Sequence, residues 1–204
     1  MKNKFARIFL VRHGEVVNKK KIIYGYLPLK LSPKGEREAK KAGLFLKDKK
    51  IVAILSSPQK RAEQTAKIVG RIISKGKIRI QTERDLRESG WGEFLKGLTW
   101  EQARKKYPKE TLLYSRQPSK VKKGESLQKM AARMAKVIQK EIKKYPGQNL
   151  VFVSHRDPIL AALLKISKRN FNDLHKVKPI CPTGSICEVW SVGKKLINKT
   201  YLSS

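Results

Sequence analysis

The chain has 204 residues, 40% hydrophobic and 31% charged, which is enough for one well-buried core, cramped for two, and inconsistent with wholesale disorder. Its charge is lopsided, with 48 Lys and Arg against 16 Asp and Glu for a formal +32, a field that draws anions to the surface. No apolar run approaches the roughly 18 residues needed to cross a bilayer, so no membrane span is expected.

The first apolar run, residues 5–11, is too short for the core of a signal peptide and reads as a strand. It leads directly into Arg12, His13, Gly14 and Glu15. Ser32 and Pro33 form a helix start, a serine cap followed by a first-turn proline. That helix continues through Glu36, Ala39, Ala42 and Leu46. A second strand is predicted over 51–55. Ser56, Ser57 and Pro58 follow it, and Pro58 opens a helix with Ala62, Thr65, Ala66 and Val69 on one face. Residues 77–81 read as a third strand, followed by Leu86, Arg87 and Glu88.

Segment 89–124 breaks this rhythm. It holds Gly90, Gly92 and Gly97, the aromatics Trp91, Phe94 and Trp100, and a stop at Tyr107-Pro108. It reads as a loop-and-helix excursion over the sheet edge, a candidate lid. Gly124, Glu125 and Ser126 then start a helix carrying Leu127, Met130, Met134, Val137 and Ile138 at helical spacing, with the methionines as core. A fourth strand, 149–154, runs into Ser154, His155, Arg156, Asp157 and Pro158, and a helix extends to Leu164. A last strand over 185–192 and a turn at Gly193, Lys194 and Lys195 make a terminal hairpin.

Strands alternating with helices imply a largely parallel sheet with right-handed crossovers. With no repeat or linker, residues 1–204 read as one domain. Cys181 and Cys187 form neither a CxxC pair nor a metal set. Two free thiols suit a reducing cytoplasm. The basic residues scatter, as in Lys19-Lys20-Lys21, Arg104-Lys105-Lys106 and Lys143-Lys144, and read as a solvated surface that holds nucleic acid non-specifically if at all.

Two of the three histidines stand where strands end, and the carboxyl ends of strands are where open α/β folds bind ligands. Arginine offers planar donors suited to phosphate, and imidazole can act as a nucleophile. Four segments, in order, resemble the histidine phosphatase superfamily, which includes cofactor-dependent phosphoglycerate mutases and many phosphomonoesterases. They are 10–15 around His13, 56–66 around Arg61, 86–93 around Glu88, and 153–155 at His155. The resemblance spans nearly the whole chain and implies a three-layer αβα sandwich around a mostly parallel sheet.

It also implies roles. His13 attacks phosphorus to give a phosphohistidine, while Arg12, Arg61 and His155 cradle the phosphate oxygens. Glu88, whose rivals are Glu83 and Glu93, protonates the leaving oxygen and later deprotonates water. No metal or cofactor is called for. For His13 to attack it must be neutral, and the adjacent arginines lower its pKa. Asn18, one position off the family's usual asparagine, is a further candidate phosphate donor. Arg156 stands where glycine or alanine often follows the second histidine, so it either contacts substrate or points to solvent. His175 has no motif around it.

The stretch Arg87 to Gly92 lacks the mutase signature, and the connection from Gly97 to Gly124 is short, so the chain aligns with the phosphatase branch. The expected activity is hydrolysis of a small phosphorylated metabolite. A mutase and a non-enzymatic polyanion binder stand as alternatives. Substrate and oligomeric state are not legible in the residues.

Overall fold

The computed structural model describes residues 6–90, 94–176, 181–192 and 195–201. Six strands form one sheet in the order β3-β2-β4-β1-β5-β6. β1 (Arg7–Arg12), β2 (Ile51–Ser56), β3 (Arg79–Thr82) and β4 (Asn149–Ser154) pair in parallel. β5 (Ile186–Val192) joins β1 antiparallel, and β6 (Lys195–Tyr201) completes the terminal hairpin. The helices are α1 (Pro33–Leu46), α2 (Lys60–Ser74), α3 (Trp100–Lys106), α4 (Pro108–Arg116), α5 (Leu127–Lys144) and α6 (Arg156–Ile166).

The central strands are apolar on both faces, and their alternation sorts the core into two layers. Phe9, Val11, Ile54, Val151 and Val153 face α1 and α2, packing on Ala42, Leu46, Ala62, Ala66 and Val69. Ile8, Leu10, Leu55, Leu150 and Phe152 face α5 and α6, packing on Met130, Met134, Ile138, Ile159 and Leu160. Each fully buried side chain of this size contributes about 1.5–3 kcal/mol. A one-residue slip of either strand would exchange the two sets, so register is strongly fixed. The expected three-layer sandwich, helices on both faces of a mostly parallel sheet, is what the chain forms.

Local signals acted as read, with two adjustments. Ser32 caps α1 by accepting from the Gly35 N–H, and Ser126 caps α5 by accepting from Lys129. α2 begins at Lys60, two residues past Pro58, with Gln59 at its cap position but no capping bond. Gln59 is engaged elsewhere, as described below. The Tyr107-Pro108 stop ends α3, and Pro108 then starts α4 at once.

The excursion has a small core of its own, Leu95, Ala103 and Val121. It is tied to the chain before α1 where Ile23 N–H donates to the Leu98 carbonyl at 2.7 Å. Trp100 and Tyr114 share a cavity with Arg12 and Arg156. The excursion therefore stands over the carboxyl ends of β1 and β4, the middle of the sheet rather than its edge. Trp91, Gly92 and Glu93, and the hairpin turn at Gly193-Lys194, lie outside the described residues. Cys181 and Cys187 are buried and unbridged. Among the described residues no helix is long and apolar enough to cross a membrane.

Candidate active site

Parallel pairing of β1 with β4 sets Arg12 opposite Ser154. The residues that follow, His13 and His155, therefore leave adjacent strands side by side, with ring centroids 5.0 Å apart. The His13 N–H donates to the Ser154 carbonyl at 3.0 Å and locks the two exits together. After His13 the chain turns against the start of α1. A Cβ on Gly14 would lie 2.2 Å from the Gly35 carbonyl oxygen, and one on Gly35 would lie 2.0 Å from that of Glu15. Only glycine at both positions allows the approach.

His13 is buried, and its hydrogen bonds define its tautomer. Nδ1 lies 2.7 Å from the Gly14 carbonyl oxygen, which can only accept, so Nδ1 carries the proton. Nε2 receives the Nε–H of Arg61 at 3.2 Å, so it presents a lone pair. Burial holds the His13 pKa well below its ordinary value, with the charges of Arg61 and then Arg12 adding to the effect. The arginines alone were expected to do this; desolvation is the larger cause.

Arg61, in the first turn of α2, is completely buried. Nη2 donates to the Gly25 carbonyl at 2.9 Å and Nη1 to that of Leu27 at 3.3 Å, and the guanidinium lies 4.8 Å from the Tyr24 ring centroid. Thr65, one turn on, donates to the Arg61 carbonyl and accepts from the Gly14 N–H, linking α2 to the His13 loop.

His155 is also fully buried. Its Nε2 lies 2.8 Å from Ser57 Oγ and 2.9 Å from Gln59 Oε1. Ser57 Oγ in turn donates to Gln59 Oε1, so Nε2–H is the donor to this pair. That engagement is why Gln59 does not cap α2. Nδ1 faces Glu88 Oε2 at 3.7 Å, beyond hydrogen-bond length. Burial, then the positive charges of Arg61 and Arg12, keep the His155 pKa well below its usual value.

The Glu88 side chain is 18% exposed. Its Oε1 accepts the Ser89 N–H at 2.8 Å, and its backbone carbonyl is held by Tyr26 and Arg133. Burial and the nearby Asp157 carboxylate push its pKa to about 7 against the pull of Arg61 and Arg12. Arg12 anchors through Nη1 on the Cys181 carbonyl at 2.7 Å. Among the described residues three buried side-chain polar atoms have no hydrogen-bond partner, and two of them are Arg12 Nε and His155 Nδ1. Buried polar atoms are normally satisfied. An anion would accept from Arg12 Nε–H directly, and from His155 Nδ1 once that nitrogen takes up a proton.

The structure thus brings together His13, His155, Arg12, Arg61 and Glu88. Asn18 is not in the group. Its side chain exchanges two hydrogen bonds with the Ile22 backbone, at 2.9 and 3.1 Å, and closes the loop between them. Sequence reasoning missed Ser57 and Gln59, although both lie in the quoted motif around Arg61. It also missed Tyr114 and Asp157, which line the cavity with Arg12, Glu88, Trp100 and Arg156. Nothing local marked Tyr114, which reaches the site from α4. Among the described residues no three His, Cys, Asp or Glu side chains group as metal ligands do.

Helices α2 and α6 both begin at this end of the sheet, and their positive N-termini favour an anion there. Unpartnered buried nitrogens beside a neutral imidazole make this end of the α/β sheet a candidate anion site. The chain matches the model of the histidine phosphatase superfamily (branch 1) over residues 8–197 and belongs to that family. It is 35% identical over 156 residues to phosphoglycerate mutase-like protein 4 of Arabidopsis thaliana, covering 74% of this chain and 66% of that one, so it spans about two thirds of that relative. It is 30% identical over 161 residues to the uncharacterized phosphatase PhoE of Bacillus subtilis, covering 78% and 77%. The solved structure of Bacillus stearothermophilus YhfR superposes with a TM-score of 0.87 at 23% identity, covering 96% of both chains, a likeness of fold.

Proposed function

We propose that the protein hydrolyses small phosphomonoesters through a phosphohistidine on His13 Nε2. The observation that carries this reading is the pair of unpartnered buried nitrogens, the donor Arg12 Nε–H and the proton-accepting His155 Nδ1, beside the lone pair of a neutral His13. A phosphate dianion there draws a proton from solvent onto His155 Nδ1 and takes the Nε–H of Arg61 from His13, freeing the lone pair to attack. As the Nε2–P bond forms, the bond from phosphorus to the ester oxygen breaks, and that oxygen takes the Glu88 proton. A carboxyl with a pKa near 7 keeps that proton in about half of the molecules at neutral pH, as a general acid requires. Water then attacks phosphorus, giving its proton to Glu88 as the Nε2–P bond breaks, and inorganic phosphate leaves. Arg12 and Arg61 offset the equatorial oxygen charge throughout.

The chain serves this reaction as one domain, with residues 94–121 as a lid over the cavity. Two unbridged thiols suit a cytoplasmic setting.

The test is His13→Ala. Turnover of p-nitrophenyl phosphate should fall by at least about 10³-fold, and acid-labile phosphoprotein should vanish. Undiminished hydrolysis would overturn the mechanism. With 3-phosphoglycerate, isomerisation without phosphate release would replace hydrolysis by the mutase reading.

A further inference from the structure

Arg156, the first residue of α6, is a cation that the steps above leave unused. Its side chain is 25% exposed, and neighbours hold it from two directions. Nη2 lies 3.1 Å from His175 Nδ1, and His175 Nε2 lies 2.7 Å from the Tyr114 carbonyl oxygen. A guanidinium only donates and a carbonyl only accepts. His175 is therefore neutral, protonated on Nε2, and receives the Arg156 N–H. Nη1 lies 3.5 Å from Asp157 Oδ1, while Asp157 Oδ2 accepts the Tyr114 hydroxyl at 2.6 Å. Tyr114 is itself fixed, stacked on Trp100 with centroids 5.9 Å apart and edge-on to His175 at 4.8 Å. A solvated arginine has no such scaffold. Each terminal nitrogen keeps a second N–H, and Arg156 lines the same cavity as Arg12 and Glu88.

We propose that Arg156 is a specificity-determining residue that holds the carboxylate of a small phosphomonoester whose phosphate rests on His13, with His175 as the positioning residue that aims it. This rests on the phosphatase reading and names the substrate class for that site. Size and charge select the class. The cavity is about 180 Å³, below the roughly 300 Å³ at which drug-sized pockets begin, so the ester is metabolite-sized. A planar guanidinium fork matches a carboxylate. Asp157 beside Arg156 offsets part of its charge, which suits a single negative charge and disfavours a second phosphate dianion.

The experiment compares 3-phosphoglycerate with glycerol 3-phosphate, which differ only in carboxylate against hydroxymethyl, by release of inorganic phosphate. The readout is the ratio of the two kcat/KM values within each protein, which partial unfolding does not move because it scales both esters alike. The wild-type chain should favour 3-phosphoglycerate. Arg156→Gln should collapse the ratio by about 10- to 100-fold, chiefly through KM, the size expected for one charge-assisted hydrogen bond. Arg156→Lys should restore only part of it, since a point charge lacks the fork. His175→Phe should lower the ratio by a smaller factor through KM for the acid. A wild-type ratio at or below one, or a ratio that Arg156→Gln leaves unchanged, overturns the proposal. So does hydrolysis of p-nitrophenyl phosphate with neither three-carbon ester turned over. Failure on all three esters takes down the phosphatase reading and this inference together.

Discussion

At the scale of single residues, the candidate site holds groups in protonation states they would not keep in water. His13 and His155 are kept neutral with pKa values below 6.5, while Glu88 is lifted to about 7. The expected kcat/KM profile is a bell, falling well below pH 6.5 as His13 gains a proton and above about pH 7 as Glu88 loses its own. Glu88→Gln should slow turnover and remove the alkaline limb. The same shift has a stability consequence. The folded pKa exceeds the ordinary 4.5 of a glutamate, so the unfolded chain ionises first and stability drains between about pH 4.5 and 7, by up to about 3 kcal/mol. Thermal melts should show Glu88→Gln above wild type at alkaline pH, with the gap closing toward pH 4.5. The five residues that gather at the site were readable because each sits in a contiguous motif. Gln59 and Tyr114 were not, since their importance lies in contacts made across the fold. Asn18 was a candidate because its type fits phosphate, and only its contacts show that its side chain closes the loop to Ile22.

At the scale of elements, the His13 turn depends on how closely it can approach α1. Gly35→Ala puts a methyl group into the Glu15 backbone, which cannot yield as a flexible side chain would. Calorimetry should show a loss of several kcal/mol, in the range of severe overpacking, and kcat should fall because His13 moves with the turn. The excursion behaves differently, since its core is a small cluster apart from the two main ones. Leu95→Ala should cost about 2–5 kcal/mol locally. Native-state hydrogen exchange should then quicken over 94–121 while β1 and β4 stay protected. The main strands and long helices were legible because periods of two and 3.6 hold along them. α3 and α4 were not resolved as separate helices. The described burial leaves only Ala103 buried in α3 and Thr111 in α4, too little for any apolar period to show.

At the scale of the whole molecule, the excess of 48 basic over 16 acidic residues acts at a distance. Exposed charges are screened within about 10 Å at moderate salt, so kcat/KM for an anionic ester should drop by roughly tenfold from low to high ionic strength. A salt-independent rate would show that the field plays no part in capture. Such a surface also retains polyanions without sequence preference. Steeply salt-dependent nucleic-acid binding is therefore compatible with a working phosphatase.

The side-by-side exit of β1 and β4 has a consequence for how activity arises during synthesis. The two imidazoles are among the most widely separated partners in the chain, and their strands pair directly. His13 leaves the ribosome well ahead of β4 and waits for that strand before its neighbour exists. In a refolding experiment, helical signal should therefore recover ahead of turnover, because the last event to reward catalysis is long-range strand closure.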